Sequence, residues 1–158
     1  MKISQVNRQF KPFIQAVATN NPVEFPNLDR VAHHVYSFSH PNQFELPLYQ
    51  KGYHAFKNFS QPGVVILGCN IHDWMISYLY VTKSPFFTQA GKNKALIKNL
   101  PLGNYQLQLW HPGLKTPLPT KDITISKNKN HTSIILKKLP KTVIQPTAMD
   151  MDFDEGGY

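Results

Sequence analysis

Apolar residues along this 158-residue chain come in short runs, and no segment of a dozen residues sustains the three-and-four spacing of an amphipathic helix. Runs rich in Val, Ile, Phe and Tyr, separated by Pro, Asn, Ser and Gly, predict strands at 13–18, 23–26, 33–38, 54–59, 63–67 and 76–81. Short strands with turn signals between them predict an all-β sandwich or Greek-key barrel. After Lys83-Ser84-Pro85 the texture starts again, with strands predicted at 95–98, 105–110, 122–126 and 132–137. Here Tyr105, Leu107 and Leu109 alternate with Gln106 and Gln108, the pattern of a strand with one buried and one wet face. The pattern therefore divides the chain into a first β unit over 1–82, a smaller β-sandwich over 83–140, and an acidic tail over 141–158 that lacks periodicity and is expected to be disordered.

Composition changes this picture in two ways. The length suits one ordinary domain or two small ones without disulfide support, and a lone cysteine, Cys69, has no partner within the chain. The formal charge of +8 is unevenly spread: Asp150, Asp152, Asp154 and Glu155 crowd the last nine positions, leaving five acids to offset 17 Lys and Arg, or +12 for the body. A basic body steers acidic partners toward it. Its lysines are scattered and no nucleic-acid motif accompanies them, so no nucleic-acid partner is expected. No run reaches the roughly 18 apolar residues of a membrane span. The start, MKISQVNRQFKPF, lacks the apolar core of a secretory signal, and strand-like sequence follows so soon that a leader upstream stays open.

The candidate chemistry sits in one loop. LGCNIHDWMI gathers Cys69, His72 and Met75 between the apolar run GVVILG and the alternating run ISYLYV, on a tight connection between two predicted strands. Thiolate, imidazole and thioether form a donor set that favours copper, with the thioether as a weak axial ligand; zinc normally takes four stronger ones. A trigonal copper plane needs a second imidazole from another strand, and His33-His34 offers two candidates. The competing readings of Cys69 are a packed small hydrophobe and a nucleophile with His33 or His34 as its base. Such nucleophiles usually sit at a helix N-terminus, and no helix is predicted after Cys69. His111, before Pro112-Gly113, reads as a turn residue; His40, His54 and His131 have no partners at metal spacing.

NLDRVAHHVYSFS followed by PGVVILGCNIHDWM resembles the plastocyanin and azurin family of blue copper proteins, the cupredoxins, and the Cys-x2-His-x2-Met spacing resembles the amicyanin branch. The wider run from QVNRQFKP through FELPLY to CNIHDWM is similar to methylamine-utilisation-type cupredoxin-domain proteins, over about 5–82. NLPLGNYQLQLWHPG resembles a carboxypeptidase-regulatory-like β-sandwich. The resemblance implies copper as cofactor, with metal ligands His33, Cys69, His72 and Met75, and His34 standing where the family usually has an Asn that ties the ligand strand to a neighbouring loop. It implies a one-electron carrier rather than an enzyme, a periplasmic setting, electron exit at the edge of His72, a contact patch around Ile71 and Trp74, and an acidic redox partner. Asp73 is expected to lower the copper potential if it is close and poorly solvated. Copper sequestration or delivery, and a β-sandwich interaction module, are the alternatives.

Overall fold

Eleven strands carry the described part of the chain: β1 (Ser4–Gln5), β2 (Phe10–Lys11), β3 (Ile14–Ala18), β4 (Pro22–Pro26), β5 (His33–Ser37), β6 (Phe44–Tyr49), β7 (His54–Asn58), β8 (Gly63–Gly68), β9 (Ile76–Thr82), β10 (Gly103–Leu107) and β11 (Lys121–Ile125). The computed structural model describes residues 1–91, 94–114, 116, 118–128, 132 and 147. The chain divides into two compact units, one holding Met1–Gln89 and another beginning at Ala90.

In the first unit a five-stranded sheet of order β3-β9-β8-β5-β6 faces a smaller layer in which β4 pairs antiparallel with β7. β1 runs parallel beside β4 through the bridges Lys2↔Glu24 and Gln5↔Asn27 and pairs antiparallel with β2. Strict alternation explains the layering. Along β9 every second residue, Ser77, Leu79 and Val81, is buried, and along β5 the buried set is His33, Val35 and Ser37. Val35, Val65, Leu67, Leu79 and Val81 of the large sheet meet Ile3, Phe10, Val23, Phe25 and Phe59 in one core. Each such side chain contributes about 1.5–3 kcal/mol by leaving water. All six strands predicted in this unit are present, each within a residue of its expected ends. β1, β2 and β6 escaped the sequence pattern: β1 and β2 span two residues each, and Pro47 interrupts β6. β6 is an edge strand, where proline's missing N–H costs no ladder bond, and its register with β5 slips between His33 and Val35.

In the second unit β10 and β11 form an antiparallel ladder whose half-buried residues, Tyr105 and Leu107 against Ile123 and Ile125, lie on one face. The run 95–98 is not a strand. Residues 95–97 carry no ladder, a turn follows at Lys98-Asn99, the Gly91↔Lys94 bridge precedes them, and Leu96 is exposed. The strand expected at 132–137 and the tail expected at 141–158 lie outside the described residues, save Thr132 and Thr147.

Candidate metal centre

Cys69 follows β8 directly and is 2% exposed. The chain then turns: the Met75 N–H donates to the His72 carbonyl (2.9 Å), which folds the loop so that His72 comes back over the cysteine. His33 opens β5 on its buried face with no solvent exposure. The structure thus brings together His33, Cys69 and His72 from two separate segments, their ligand atoms all within 4.8 Å of one another. Both imidazoles present the same atom to the sulfur. Nδ1 of His33 lies 3.7 Å and Nδ1 of His72 lies 3.6 Å from Cys69 Sγ.

This spacing suits a single first-row metal ion. Bonds of about 2.0 Å to imidazole nitrogen and about 2.3 Å to thiolate, roughly 120° apart, would separate nitrogen and sulfur by about 3.7 Å. With one thiolate and two imidazoles the set is that of a trigonal copper site. Met75 is buried in the core at the end of the same loop. His34, the other imidazole candidate, sits on the opposite face of β5 and bonds Glu45 of β6 through Nε2 (2.8 Å). It does not tie the ligand strand to a neighbouring loop. Its backbone N–H, with that of Ile71, is instead hydrogen-bonded to the Cys69 sulfur.

The remaining nitrogen of His33 is also held. Nε2 bonds Asp29 Oδ2 at 2.7 Å, which fixes the ring and directs Nδ1 at the cysteine. Asp29 is itself gripped by a turn. Asn7 and Arg8, both left-handed (φ 55° and 53°), form a two-residue hairpin turn between β1 and β2, and their N–H groups donate to Asp29 Oδ1 (2.5 Å) and Oδ2 (2.8 Å). The carbonyl of Arg8 accepts from Trp74 Nε1 (3.2 Å), and the Trp74 ring stands edge-on to His72 with centroids 5.3 Å apart. One hairpin turn therefore steadies both imidazoles. Asn27 locks the neighbouring loop: its Nδ2 donates to Val31 O (2.9 Å) and Tyr49 O (3.0 Å), and its Oδ1 accepts from Asp29 N (2.9 Å).

Electrostatics follow from this packing. Burial would raise the Cys69 thiol, but hydrogen bonds from His33 and the His34 and Ile71 N–H groups outweigh it and hold the group below its usual range. Burial would likewise lower His33, but Cys69 and Asp29 push it up. His72 is held low by burial and then by the positive charges of His33 and Arg8, which favours the unprotonated ring. Asp29 stays below the carboxylate range because the Arg8 N–H, His33 and the Asn7 N–H together outweigh its burial.

Sequence reasoning missed Asp29, Asn27 and the clamp role of Trp74. A signal existed: Asp29 lies four residues before His33, in a chain body that has only five acids, within the turn-forming stretch PNLDR. Asp73 has an exposed side chain, so the condition for its effect on a bound metal is not met; the buried carboxylate beside the centre is Asp29. Trp74 is partly buried and packs on the core, and Ile71 is half exposed. Among the described residues no helix follows Cys69 to activate it as a nucleophile. Away from the centre, His111 Nδ1 accepts from the Gly113 N–H (3.0 Å), as a turn histidine does, and exposed His54 bonds Glu24.

The all-β sandwich with a buried Cys and two His at one end has the cupredoxin fold. Among solved structures the chain is similar to a copper-containing nitrite reductase from Thermus scotoductus SA-01, at 22% identity and a TM-score of 0.50, over 52% of this chain and 22% of that one. It thus spans about a fifth of that enzyme, and the likeness is one of fold. A purple cupredoxin from Nitrosopumilus maritimus (20% identity, 51% of this chain and 98% of that one, TM-score 0.48) and a reduced amicyanin variant (15%, 52% and 81%, TM-score 0.49) also match. No protein-family model and no curated protein sequence matches the chain.

Proposed function

We propose that the Met1–Gln89 unit holds copper through Nδ1 of His33, Sγ of Cys69 and Nδ1 of His72, with Met75 as a weak fourth ligand, and serves as a one-electron carrier. The observation that carries this reading is the convergence of two imidazole Nδ1 atoms on one buried sulfur, with Nε2 of His33 pinned by Asp29. Copper supplies a single-electron change between Cu(I) and Cu(II). The chain's own residues do the rest. Asp29 and Trp74 fix the two rings so that neither has to reorient when the charge changes. The core shuts water away from Cys69, and half-buried His72 is the donor nearest the surface, with Ile71 exposed beside it as a small docking contact. A carrier needs only weak, brief docking, and the basic body favours an acidic partner. The periplasm is the setting that goes with this role.

Adding Cu(II) to purified protein tests it. An intense visible thiolate-to-copper band is expected and should vanish in Cys69→Ser. A colourless wild-type complex would sink the reading.

A further inference from the structure

We propose that the cleft flanking the His33 side of the centre receives an acidic, Asp/Glu-bearing segment of the redox partner, a proposal that rests on the carrier reading above. Three connections of the first unit converge on this open cleft of about 500 Å³: the Asn7–Arg8 turn, the loop carrying Leu28, Arg30 and Val31, and the β6–β7 turn carrying Lys51. Arg8, Arg30 and Lys51 are all exposed there, and none forms an ion pair with another described residue. The single acid in the lining, Asp29, is already committed to the Asn7 and Arg8 N–H groups and to His33. The cleft therefore has three uncompensated cations and one internally satisfied carboxylate.

The arrangement discriminates between anions. A compact phosphate is best held by converging backbone N–H groups, and the pair of left-handed residues that offers them here spends both on Asp29. What remains is long, flexible side chains around Leu28 and Val31, which suits carboxylates spaced along an extended peptide. The walls are held in place by the same groups that organise the metal centre. Asn27 accepts from Gly52 N–H (2.8 Å) next to Lys51 and donates to Val31 O, while Arg8 carries the N–H that holds Asp29. A carboxylate docked against Arg8 would sit one residue's hydrogen bonds away from His33.

The test uses the full-length protein, copper-loaded and metal-free, titrated with a hexaglutamate peptide and followed by amide chemical shifts. Shifts should cluster at residues 6–9, 28–31 and 50–53 and fade as salt is raised. Arg30→Glu with Lys51→Glu should weaken binding by about tenfold or more and leave the visible copper spectrum unaltered. The control pair Lys11→Glu with Lys57→Glu should change it by less than about twofold. Equal loss in both pairs, shifts spread over the whole surface, or tighter cleft binding of inorganic phosphate or anionic vesicles than of hexaglutamate would each overturn the proposal. The two readings fail separately. A colourless copper complex with intact peptide binding removes the carrier, whereas a blue protein with no cleft-dependent binding removes the cleft.

Discussion

Asp29 places a carboxylate against the imidazole of His33, a ring with no solvent exposure, so its charge acts on the centre with little screening. A negative charge there favours the more positive state of a bound metal. Asp29→Asn, which keeps the shape, should raise the reduction potential of the copper-loaded protein in voltammetry; an unchanged or lower value would show that the carboxylate only positions the ring. Asp73→Asn, at an exposed position, should move the potential less. At this scale much was legible. Cys69 and His72 stand together in the sequence, and the alternation His33, Val35, Ser37 against His34, Tyr36, Phe38 already separates the buried histidine from the other once one face is known to be core. Asp29 was harder to see, because its role depends on two N–H groups of a turn 21 and 22 residues away, and periodicity says nothing about who meets across such a distance.

Among the elements, the weakest seam in the large sheet lies beside the centre. β5 and β8 pair in register only at Tyr36↔Gly68, and a Cβ at Gly68 would come within 2.7 Å of the Tyr36 ring. Gly68→Ala should push that ring aside and cost about 1–3 kcal/mol in denaturant unfolding, with the displacement read from the Tyr36 ring resonances. The loop between β4 and β5 depends on Asn27. Asn27→Ala leaves the carbonyls of Val31 and Tyr49 without that donor and should destabilise the protein by about 2–3 kcal/mol in the same measurement. A loss below roughly half of that would mean water replaces the amide. Strands with clean alternation were readable from sequence, while β6 was hidden because a proline in an edge strand resembles a break.

For the molecule as a whole, acid should loosen the smaller layer. Partial burial pushes the carboxyl of Glu24 up, but hydrogen bonds from His54 and Lys2 outweigh it and leave the group below its ordinary value of 4.5. Glu24 on β4 thereby joins the segment leading into β1, through Lys2, to β7, through His54. A depressed carboxyl contributes stability that is present above the unfolded value and lost as pH falls through the folded one. Melting curves of wild type and Glu24→Gln should therefore diverge near neutral pH and converge as acid takes the pH down from the ordinary carboxyl value through the lowered folded one; parallel curves down to low pH would exclude the linkage. The fold class of the first unit was legible because its core strands are short, apolar and regularly punctuated. In the second unit the alternation of Tyr105 and Leu107 was legible, whereas the apolar pair Ala95 and Leu96 suggested a strand at 95–98 where the backbone has none.

The slipped register of β6, with Pro47 on it, bears on how the molecule meets its neighbours. An open strand beside a functional site is a ready template on which another chain can crystallise a continuous ribbon. Here the border next to His33 is kinked and short of one N–H, so it offers no straight row for such growth. Encounters near the centre are left to side chains, which let go as readily as they take hold.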